Sequence, residues 1–526
     1  MSYSRLNASA ATLTKNRTPD SVVPISGLCA TCVDGCIGPC EIGKSAYRGT
    51  EVLYPQPFGI ITTAATKKYP VDLSHFTILG TVRGAHGIEP DPDKALFINV
   101  DTEQRIGRDK GIKLKLPISI GALGSTAVAK RNWEGLAIGA ALSGIMLTVG
   151  ENVCGMDPSS LFENGKVVYS EDMERRVKLF KEWQQDGYGT VAVQANVEDT
   201  RLGVHEYVLS KLEVDAVEIK WGQGAKSIGG EVKIKDLERA QMLKERGYIV
   251  LPDPFDPVVI EAFKQGVFHE FERHSRLGMV EEESFCNRVD ELREAGAKYV
   301  FLKTGAYRPS ALALAVKLSS EAKIDLLTVD AAGGGTGMSP WRMMNEWGVP
   351  GVELWSLLYK YLDKLAKKGK YIPDVSIAGG FAFEDQIFKG LCLGAPYFKL
   401  ITMARAPLTA VMVGKNIGKR IEEGRVPTYI ARFGTRKEEI FITAPELMER
   451  FGEDFHKIPT GALGLYTYMK RLEQGLKQLM CGARKFSLEY LSRDDIAALT
   501  REASEISGIK YIMECDEEEV ERILDC

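Results

Sequence analysis

The sequence lacks any long hydrophobic run. The longest nearly apolar stretch, residues 136–149, is interrupted by two glycines and a serine and is too short to span a bilayer. The first 20 residues are rich in Ser, Thr, Ala and Asn and have no apolar centre, so no secretory signal is expected. A net charge of -4 gives no bulk attraction to nucleic acid or membranes. We therefore predict a cytoplasmic protein that binds neither nucleic acid nor a membrane.

Two common kinds of site are also missing. No glycine-rich strand–helix turn is followed by an acidic residue at suitable spacing, so direct use of a nicotinamide cofactor is not expected. The six histidines form no ligand-spaced set.

The cysteines, in contrast, are plentiful and unevenly spread. Of ten in the chain, four lie within twelve residues, at Cys29, Cys32, Cys36 and Cys40. Thiols crowded this closely in a reducing compartment indicate metal binding and not crosslinking. Cubane iron–sulfur clusters take four thiolates from short loops of this kind, whereas structural zinc usually uses two pairs with a longer spacer. A [4Fe–4S] cluster is thus favoured, with zinc or free thiols as the alternatives.

The middle of the chain shows a βα rhythm. Apolar runs typical of strands alternate with helical patterns. These runs cover residues 117–123, 145–149, 191–195, 216–220, 299–304, 326–329, 375–378 and 397–402. Eight such units predict an α/β fold of the TIM (β/α)8 barrel type better than an open sheet.

The rest of the chain divides around this barrel. We predict an N-terminal arm with the cysteine cluster at 1–50, an irregular wrapping segment at 51–115, the barrel at 116–406 and a helical C-terminal extension at 407–526. Within the extension, 466–480 has a strong amphipathic pattern. The long connection at about 252–288 is expected to be an inserted lid or interface segment.

Strand four runs directly into a glycine-rich turn that carries cations. The stretch from Val217 to Lys226 reads VEIKWGQGAK, and it brings Lys220, Gln223 and Lys226 to the C-terminal rim of the barrel, where active sites lie. Glycine turns also follow strands one, two, six and seven. Because glycine has no Cβ, its backbone N–H groups can approach a flat ring or a phosphate. We predict a phosphate cradle formed by Gly379, Gly380, Thr402 and Arg405.

These motifs resemble the FMN-binding synthase domain of glutamate synthases. The resemblance is carried by PISIGAL at 117–123, IKWGQGAK at 219–226, GGTGMS at 334–339 and AGG at 378–380. It implies a barrel that holds FMN without a covalent bond. In that family, a hydride passes to the imine formed from 2-oxoglutarate and ammonia, which gives L-glutamate and serves amino-acid biosynthesis.

The resemblance also assigns roles to residues of this chain. Catalytic roles fall to Lys220, Glu151 and Lys303, with Lys220 as a cation near the electron-rich end of the flavin. Gln223 and Lys226 would bind the substrate carboxylate. The residues implied to hold FMN are Ala122, Ser125, Lys220, Gly334, Gly335, Thr336, Gly379, Gly380, Thr402 and Arg405. Two structural alternatives stay open: Lys303 as an ion-pair partner of Glu218 or Asp330, and Glu151 as a helix cap.

Three departures from the family pattern affect the expected function. Glutamate synthases carry cysteines for an iron–sulfur cluster just after strand eight, but residues 402–414 of this chain contain no cysteine. We therefore expect the iron site at the N-terminal cysteine cluster instead. No glutaminase domain is expected ahead of the barrel, because only about 115 residues precede it, so internal ammonia production is not expected either. The segment LPDPFDP at 251–257 replaces the family's usual histidine-bearing segment, which leaves the substrate open.

We therefore carry three hypotheses. In the first, ferredoxin or a partner subunit passes electrons through the [4Fe–4S] cluster to FMN, and 2-iminoglutarate is reduced. In the second, the same cofactors reduce another imine or an unsaturated acid. In the third, the barrel is a non-catalytic electron-transfer or assembly subunit. A homo-oligomer is compatible with each of them.

Overall fold

The computed structural model describes residues 34–37, 41–54, 67, 69–224, 228–229, 231–332 and 339–525. Within these ranges, eight parallel strands form a closed barrel. The barrel strands are β1 (Ile118–Leu123), β2 (Met146–Val149), β3 (Thr190–Ala195), β4 (Ala216–Lys220), β5 (Tyr299–Thr304), β6 (Leu326–Asp330), β7 (Asp374–Ala378) and β8 (Phe398–Met403).

Each barrel strand pairs with the next strand along the chain, and β8 pairs with β1 to close the ring. The eight observed strands agree with the predicted ones to within one residue at either end. The predicted TIM (β/α)8 architecture is therefore confirmed.

Helices cover the outside of the barrel. We label nine of them: α1 (Ala127–Ser143), α2 (Glu171–Trp183), α3 (Val204–Leu212), α4 (Glu282–Glu294), α5 (Pro309–Glu321), α6 (Gly351–Ala366), α7 (Glu384–Leu393), α8 (Arg405–Glu422) and α9 (Thr460–Gly482). Local chemistry sets their bounds. The Thr126 side chain accepts a hydrogen bond from the backbone N–H of Ala129 at the start of α1, and Gly144 ends α1 in the left-handed conformation, with φ of 63°.

Shorter helices and small sheets fill the connections. The remaining α-helices are Glu41–Arg48, Val153–Met156, Val197–Arg201, Leu237–Glu245, Pro257–Lys264, Trp341–Glu346, Thr428–Ala431, Lys437–Ile440, Ala444–Phe451, Arg501–Ser507 and Glu517–Leu524. The remaining strands are Phe76–Ile78, Gln104–Ile106, Ile112–Leu114, Leu161–Glu163, Lys166–Tyr169, Glu231–Ile234, Ile249–Leu251, Phe271–His274 and Ile496–Ala498.

A hairpin closes the N-terminal end of the barrel. Its strands, Gln104–Ile106 and Ile112–Leu114, pack apolar side chains against the lowest inward-facing residues of the barrel, including Phe301 and Leu400. At the hairpin turn, Arg108 donates from its backbone N–H (3.0 Å) and its Nε (2.8 Å) to the carboxylate of Asp325. That carboxylate is fully buried, so these bonds satisfy a charge that burial would otherwise penalise.

The connection between β4 and β5 carries an inserted antiparallel sheet. Its strand order is Glu231–Ile234, Phe271–His274, Ile249–Leu251, and we call residues 231–274 the insert. The predicted bounds, 252–288, were wrong, because the insert starts earlier and the barrel helix α4 takes up residues 282–294. Strands of three or four residues show too little period-two alternation to be recognised from the sequence.

The interior of the barrel changes character along its axis. The lowest layer is apolar, whereas the layer above it is polar and buried. The buried polar side chains of this upper layer are Ser119, Thr148, Gln194, Glu218, Lys303, Thr328, Ser376 and Thr402. Buried Asp374, the first residue of β7, instead accepts from Lys110 of the hairpin at the N-terminal end. Since barrel interiors are usually filled by branched apolar side chains, the polar content of the upper layer marks the C-terminal half as the place to look for a site.

The C-terminal region packs back on the barrel. The long helix α9 contains the predicted helix at 466–480 and contacts both α1 and α8. The strand Ile496–Ala498 pairs with Phe76–Ile78, so a segment before the barrel and one after it share a small sheet. None of the helices in the described ranges is both long and apolar enough to cross a membrane.

Candidate functional site

The C-terminal rim of the barrel brings Lys220 and Glu151 together. Lys220 is the last residue of β4, and Glu151 follows the end of β2. The Nζ of Lys220 lies 2.5 Å from Oε1 of Glu151 and 2.9 Å from Oε1 of Gln223. Three of the predicted site residues therefore form one hydrogen-bonded group across the rim.

The charge on Glu151 depends on this contact. Burial raises the pKa of its carboxyl, but the charge of Lys220, the hydrogen bond from Lys220 and the charge of Lys303 outweigh burial and lower the pKa to about 2. Glu151 is thus an anion at any physiological pH. The alternative of a helix cap does not account for its side chain, because the carboxylate accepts from Lys220.

Gln223 lies in the turn that follows β4. An added Cβ on Gly305, after β5, would stand 2.6 Å from the carbonyl oxygen of Gln223, so the two turns touch. The hydroxyl of Tyr307 donates to the carbonyl of Trp221 at 2.8 Å. These contacts fix the backbone of the Gln223 turn. Lys226, the second predicted carboxylate ligand, lies outside the described residues.

Lys303 enters the same rim from β5. Its Nζ lies 3.5 Å from Oδ2 of Asp330 at the end of β6, so one of the two ion pairs considered from the sequence is present. Burial lowers the pKa of Lys303, but the carboxylates of Asp330, Glu218 and Glu151 outweigh it, and the pKa is raised. A cation is therefore held next to the Lys220 group.

Below this rim, buried side chains are connected to one another. Gln194 donates from Nε2 to Oε1 of Glu218 at 2.5 Å. The hydroxyl of Thr402 lies 2.5 Å from that of Ser119 and 2.6 Å from that of Ser376. The Thr402 side chain thus lies in the barrel interior, whereas the sequence-based prediction had placed this residue in a phosphate cradle.

The other residues of the predicted cradle lie at the ends of β7 and β8. Gly379 and Gly380 have φ of 128° and 118°, values that only glycine adopts easily. An added Cβ on Gly380 would meet no atom within 4 Å, so this backbone borders open space. Arg405 is the first residue of α8, with an exposed side chain. A backbone turn and a helix N-terminus therefore flank one corner of the rim.

The remaining cofactor-binding predictions are only partly visible. Ala122 lies near the end of β1, and Ser125 lies in the turn before α1; both are partly exposed. Gly334, Gly335 and Thr336 lie outside the described residues.

Of the predicted metal ligands, only Cys36 is described, and it is exposed. Cys29, Cys32 and Cys40 lie outside the described residues. In the part of the chain that the structure describes, no group of three or more metal-ligating side chains comes together. The predicted cluster stays a prediction.

The sequence did not indicate the buried acid that lies on the other side of Glu151. Asp199 is buried and accepts a hydrogen bond from the backbone N–H of Asn152 at 2.9 Å. Burial raises the pKa of Asp199 to about 7, against the hydrogen bond from Asn152 and with the help of the negative charge of Glu151. Asn152 itself has φ of 64°. No local pattern links Asp199 to Asn152, because the two residues lie 47 positions apart in the chain.

Together, these features define a class: a (β/α)8 barrel with an anion–cation group and glycine turns at its C-terminal rim. The chain matches the conserved region in glutamate synthase over residues 62–242 and 273–415. Because this match covers more than half of the chain, the protein belongs to the glutamate synthase family. The unmatched residues between the two segments fall in the insert.

Solved structures with detectable likeness are more distant. A mandelate oxidase variant with 2-hydroxy-phenylacetamide has 12% identity and a TM-score of 0.42, covering 80% of this chain and 85% of the other. The monotopic membrane protein (S)-mandelate dehydrogenase has 12% identity and a TM-score of 0.42, with coverages of 81% and 89%. A flavocytochrome B2 variant has 13% identity and a TM-score of 0.44, with coverages of 81% and 77%. A comparison with curated proteins gave no match.

Proposed function

We propose that the protein is an FMN-dependent oxidoreductase of the glutamate synthase type, which reduces 2-iminoglutarate, formed from 2-oxoglutarate and ammonia, to L-glutamate. The observation that carries this proposal is the contact of Lys220 with Glu151 and Gln223 at the rim of a barrel of this family. A carboxylate substrate and an anionic reduced flavin both need such a cationic rim.

The residues at the rim fit FMN. The open space beside Gly380 allows close approach of a phosphate to backbone N–H groups, and the N-terminus of the 18-residue helix α8 favours an anion. Gly379, Gly380 and Arg405 would hold the phosphate, and Ala122 and Ser125 would lie against the ring, as would Gly334, Gly335 and Thr336. Bound FMN would supply the hydride for the reduction.

The protein's own side chains would orient the substrate and keep the charges fixed. Gln223 and Lys226 would bind a substrate carboxylate. Glu151, an anion with a pKa of about 2, would hold the side chain of Lys220 in place through their hydrogen bond. Lys303, whose pKa is raised, would add a second cation.

Electrons would enter through a [4Fe–4S] cluster held by Cys29, Cys32, Cys36 and Cys40, from ferredoxin or a partner subunit. The support is the x2, x3, x3 spacing of four cysteines. Iron and acid-labile sulfide analysis of anaerobically purified protein tests this part separately. We expect four irons per chain, with loss of most of the iron in Cys32→Ser. Zinc in place of iron would contradict the assignment.

The substrate assignment is tested with Lys226→Ala. We expect at least an about 100-fold loss of 2-oxoglutarate-dependent flavin reoxidation, because the carboxylate loses a charged partner, with flavin absorbance unchanged. A matched control is Lys235→Ala, since the side chain of Lys235 is 79% exposed and pairs with Glu270. Equal activity in Lys226→Ala and the control would remove the carboxylate role.

A second candidate, reduction of another imine or an unsaturated acid, is favoured by one observation. Residues 243–272 lie outside the family match, and this part of the insert carries the segment that departs from the family pattern. Reoxidation of the reduced enzyme by other 2-oxo acids with ammonia, but not by 2-oxoglutarate, would support it. The third hypothesis, a non-catalytic subunit, predicts no reoxidation by any acid.

A further inference from the structure

Side chains of the insert bind the loop that follows β2, which contains Glu151. Arg246, at the end of the insert helix Leu237–Glu245, makes the main contact. Its Nη1 donates to the carbonyls of Gly155 (2.8 Å) and Asp157 (2.7 Å). Its Nη2 donates to the carbonyls of Pro158 and Ser160, both at 3.2 Å. One planar guanidinium thus binds four backbone carbonyls within residues 155–160, which the single ammonium group of a lysine cannot reproduce.

Two further insert residues reach the residue next to Glu151. The hydroxyl of Tyr248 and the Nη1 of Arg273 each lie 3.4 Å from Oδ1 of Asn152. Both side chains are buried, and the Arg273 guanidinium lies 4.9 Å from the centre of the Tyr248 ring. An added Cβ on Gly155 would stand 1.8 Å from the Tyr248 hydroxyl, so the insert and the loop are in direct contact.

Glu151 is held from its other side by the barrel. The backbone N–H of Gly150 donates to the carbonyl of Leu123 at 3.0 Å. Asp199 accepts from the N–H of Asn152. Because Asn152 has a left-handed backbone, the turn at Glu151 is not the lowest-energy local conformation and needs its neighbours to persist.

Two of these three insert residues lie outside the part of the chain that matches the family. Arg246 and Tyr248 lie within residues 243–272, the part of the chain that the family match omits. The family match therefore omits two of the three residues by which the insert contacts this loop, whereas Arg273 lies inside the matched residues 273–415.

We propose that the insert is a positioning element for the rim: Arg246, Tyr248 and Arg273 fix the loop after β2 so that Glu151 stays within hydrogen-bond distance of the Nζ of Lys220. These three are positioning residues, because they act through the loop and do not touch the reacting group. The kinetic consequence rests on the function proposed above, whereas the geometric one does not.

Two variants test the proposal in the full-length protein. Arg246→Lys keeps the charge but loses the fork that spans four carbonyls. Tyr248→Phe keeps the ring and loses only the hydroxyl near Asn152. The matched controls are Arg276→Lys, which weakens the contact of Arg276 with Glu198 (2.9 Å), and Tyr371→Phe, which loses a bond to the carbonyl of Ile324 (2.9 Å) at the far end of the barrel.

The first readout is the titration of Glu151, followed by NMR of the carboxyl carbons in glutamate-labelled protein. The Glu151 signal is assigned by its absence in Glu151→Gln. The charged groups that face Glu151 are Lys220, Lys303, Glu218, Asp199 and Arg273. If Glu151 moves away from Lys220, its pKa rises toward the ordinary value, and we expect a rise of about one unit in both variants and none in the controls.

The second readout is 2-oxoglutarate-dependent flavin reoxidation. We expect kcat to fall about tenfold in Arg246→Lys with KM changed less than about threefold, because positioning affects the reacting geometry more than binding. If wild-type protein shows no turnover, the proposed function fails, and the titration still decides the positioning role.

Unchanged Glu151 titration in folded Arg246→Lys and Tyr248→Phe would overturn the proposal. An equal shift in the Arg276→Lys control would also overturn it, since the shift would then come from a general loosening of the fold and not from the contacts of the insert. Should Arg246→Lys fail to fold, Tyr248→Phe gives the decision, because it removes a single oxygen atom.

Discussion

Lys220 sets the charge state of Glu151. The distance of 2.5 Å between Nζ and Oε1 lowers the pKa of Glu151 to about 2 despite partial burial. A folded-state pKa below the usual value means that the ionised form stabilises the fold. The contact is therefore important for stability as well as for the proposed chemistry.

A pH dependence follows from this shift. The contribution of Glu151 is fully present above its ordinary pKa of 4.5 and is lost as the pH falls toward 2. We expect Glu151→Gln to be less stable than wild type at pH 7 by about 1–3 kcal/mol. This difference in the free energy of unfolding should shrink as the pH falls from 4.5 to 2, and urea unfolding at each pH measures it. A difference that stays constant over this range would show that Glu151 does not titrate as inferred.

How well the site was predictable differs from residue to residue. Lys220 and Gln223 were predictable because one short stretch contains both a strand and its cationic turn. Arg246 was not, because its partner Gly155 lies 91 positions away in the chain and a half-buried arginine has no local sequence pattern. Thr402 was assigned to a phosphate because of its position at a strand end, but its side chain faces inward.

At the scale of elements, the attachment of the hairpin that closes the N-terminal end of the barrel depends on one buried acid. Asp325 accepts from the backbone and side chain of Arg108 and from the N–H of Val300 (2.9 Å). We expect Asp325→Ala to lower the free energy of unfolding by about 3–5 kcal/mol, because the Arg108 charge and two N–H groups lose their acceptor. Urea unfolding measures this loss.

The control for this prediction is Asp215→Ala, which removes a solvent-exposed pair with Lys298. Its free energy of unfolding should change by less than about 1 kcal/mol. Similar losses in the two variants would mean that the Asp325 contacts add nothing beyond a surface ion pair.

The packing of α9 against α8 gives a second test at this scale. An added Cβ on Gly464 would lie 2.6 Å from the carbonyl oxygen of Ala410, whereas one on Gly482 would meet nothing within 4 Å. Both glycines are in α9. We expect Gly464→Ala to destabilise the protein by about 1–3 kcal/mol, because the helices must separate. Gly482→Ala should be neutral or slightly stabilising.

Thermal unfolding of the two variants distinguishes these outcomes. Equal melting temperatures for Gly464→Ala and Gly482→Ala would show that the α8–α9 contact is looser than the structure describes.

For the whole molecule, the barrel was predictable because its eight strands repeat one pattern of apolar run, turn and helix. The predicted start of the insert lay too far along the chain, because the strands of the insert are only three or four residues long. The hairpin that closes the N-terminal end of the barrel was not recognised for the same reason. Elements whose stability comes from tertiary contacts leave a weak local pattern. The same limit applies to the rim, where residues from β2, β4, β5 and β6 meet only after the barrel closes.

The central claim is that this rim supports reduction of 2-iminoglutarate. The most direct measurement is the visible absorbance of the anaerobically reduced holoprotein after 2-oxoglutarate and ammonium are added together. The account predicts that the oxidised flavin spectrum returns and that L-glutamate forms in equal amount, with neither compound sufficient alone. A spectrum that stays reduced, with no glutamate formed, would contradict it.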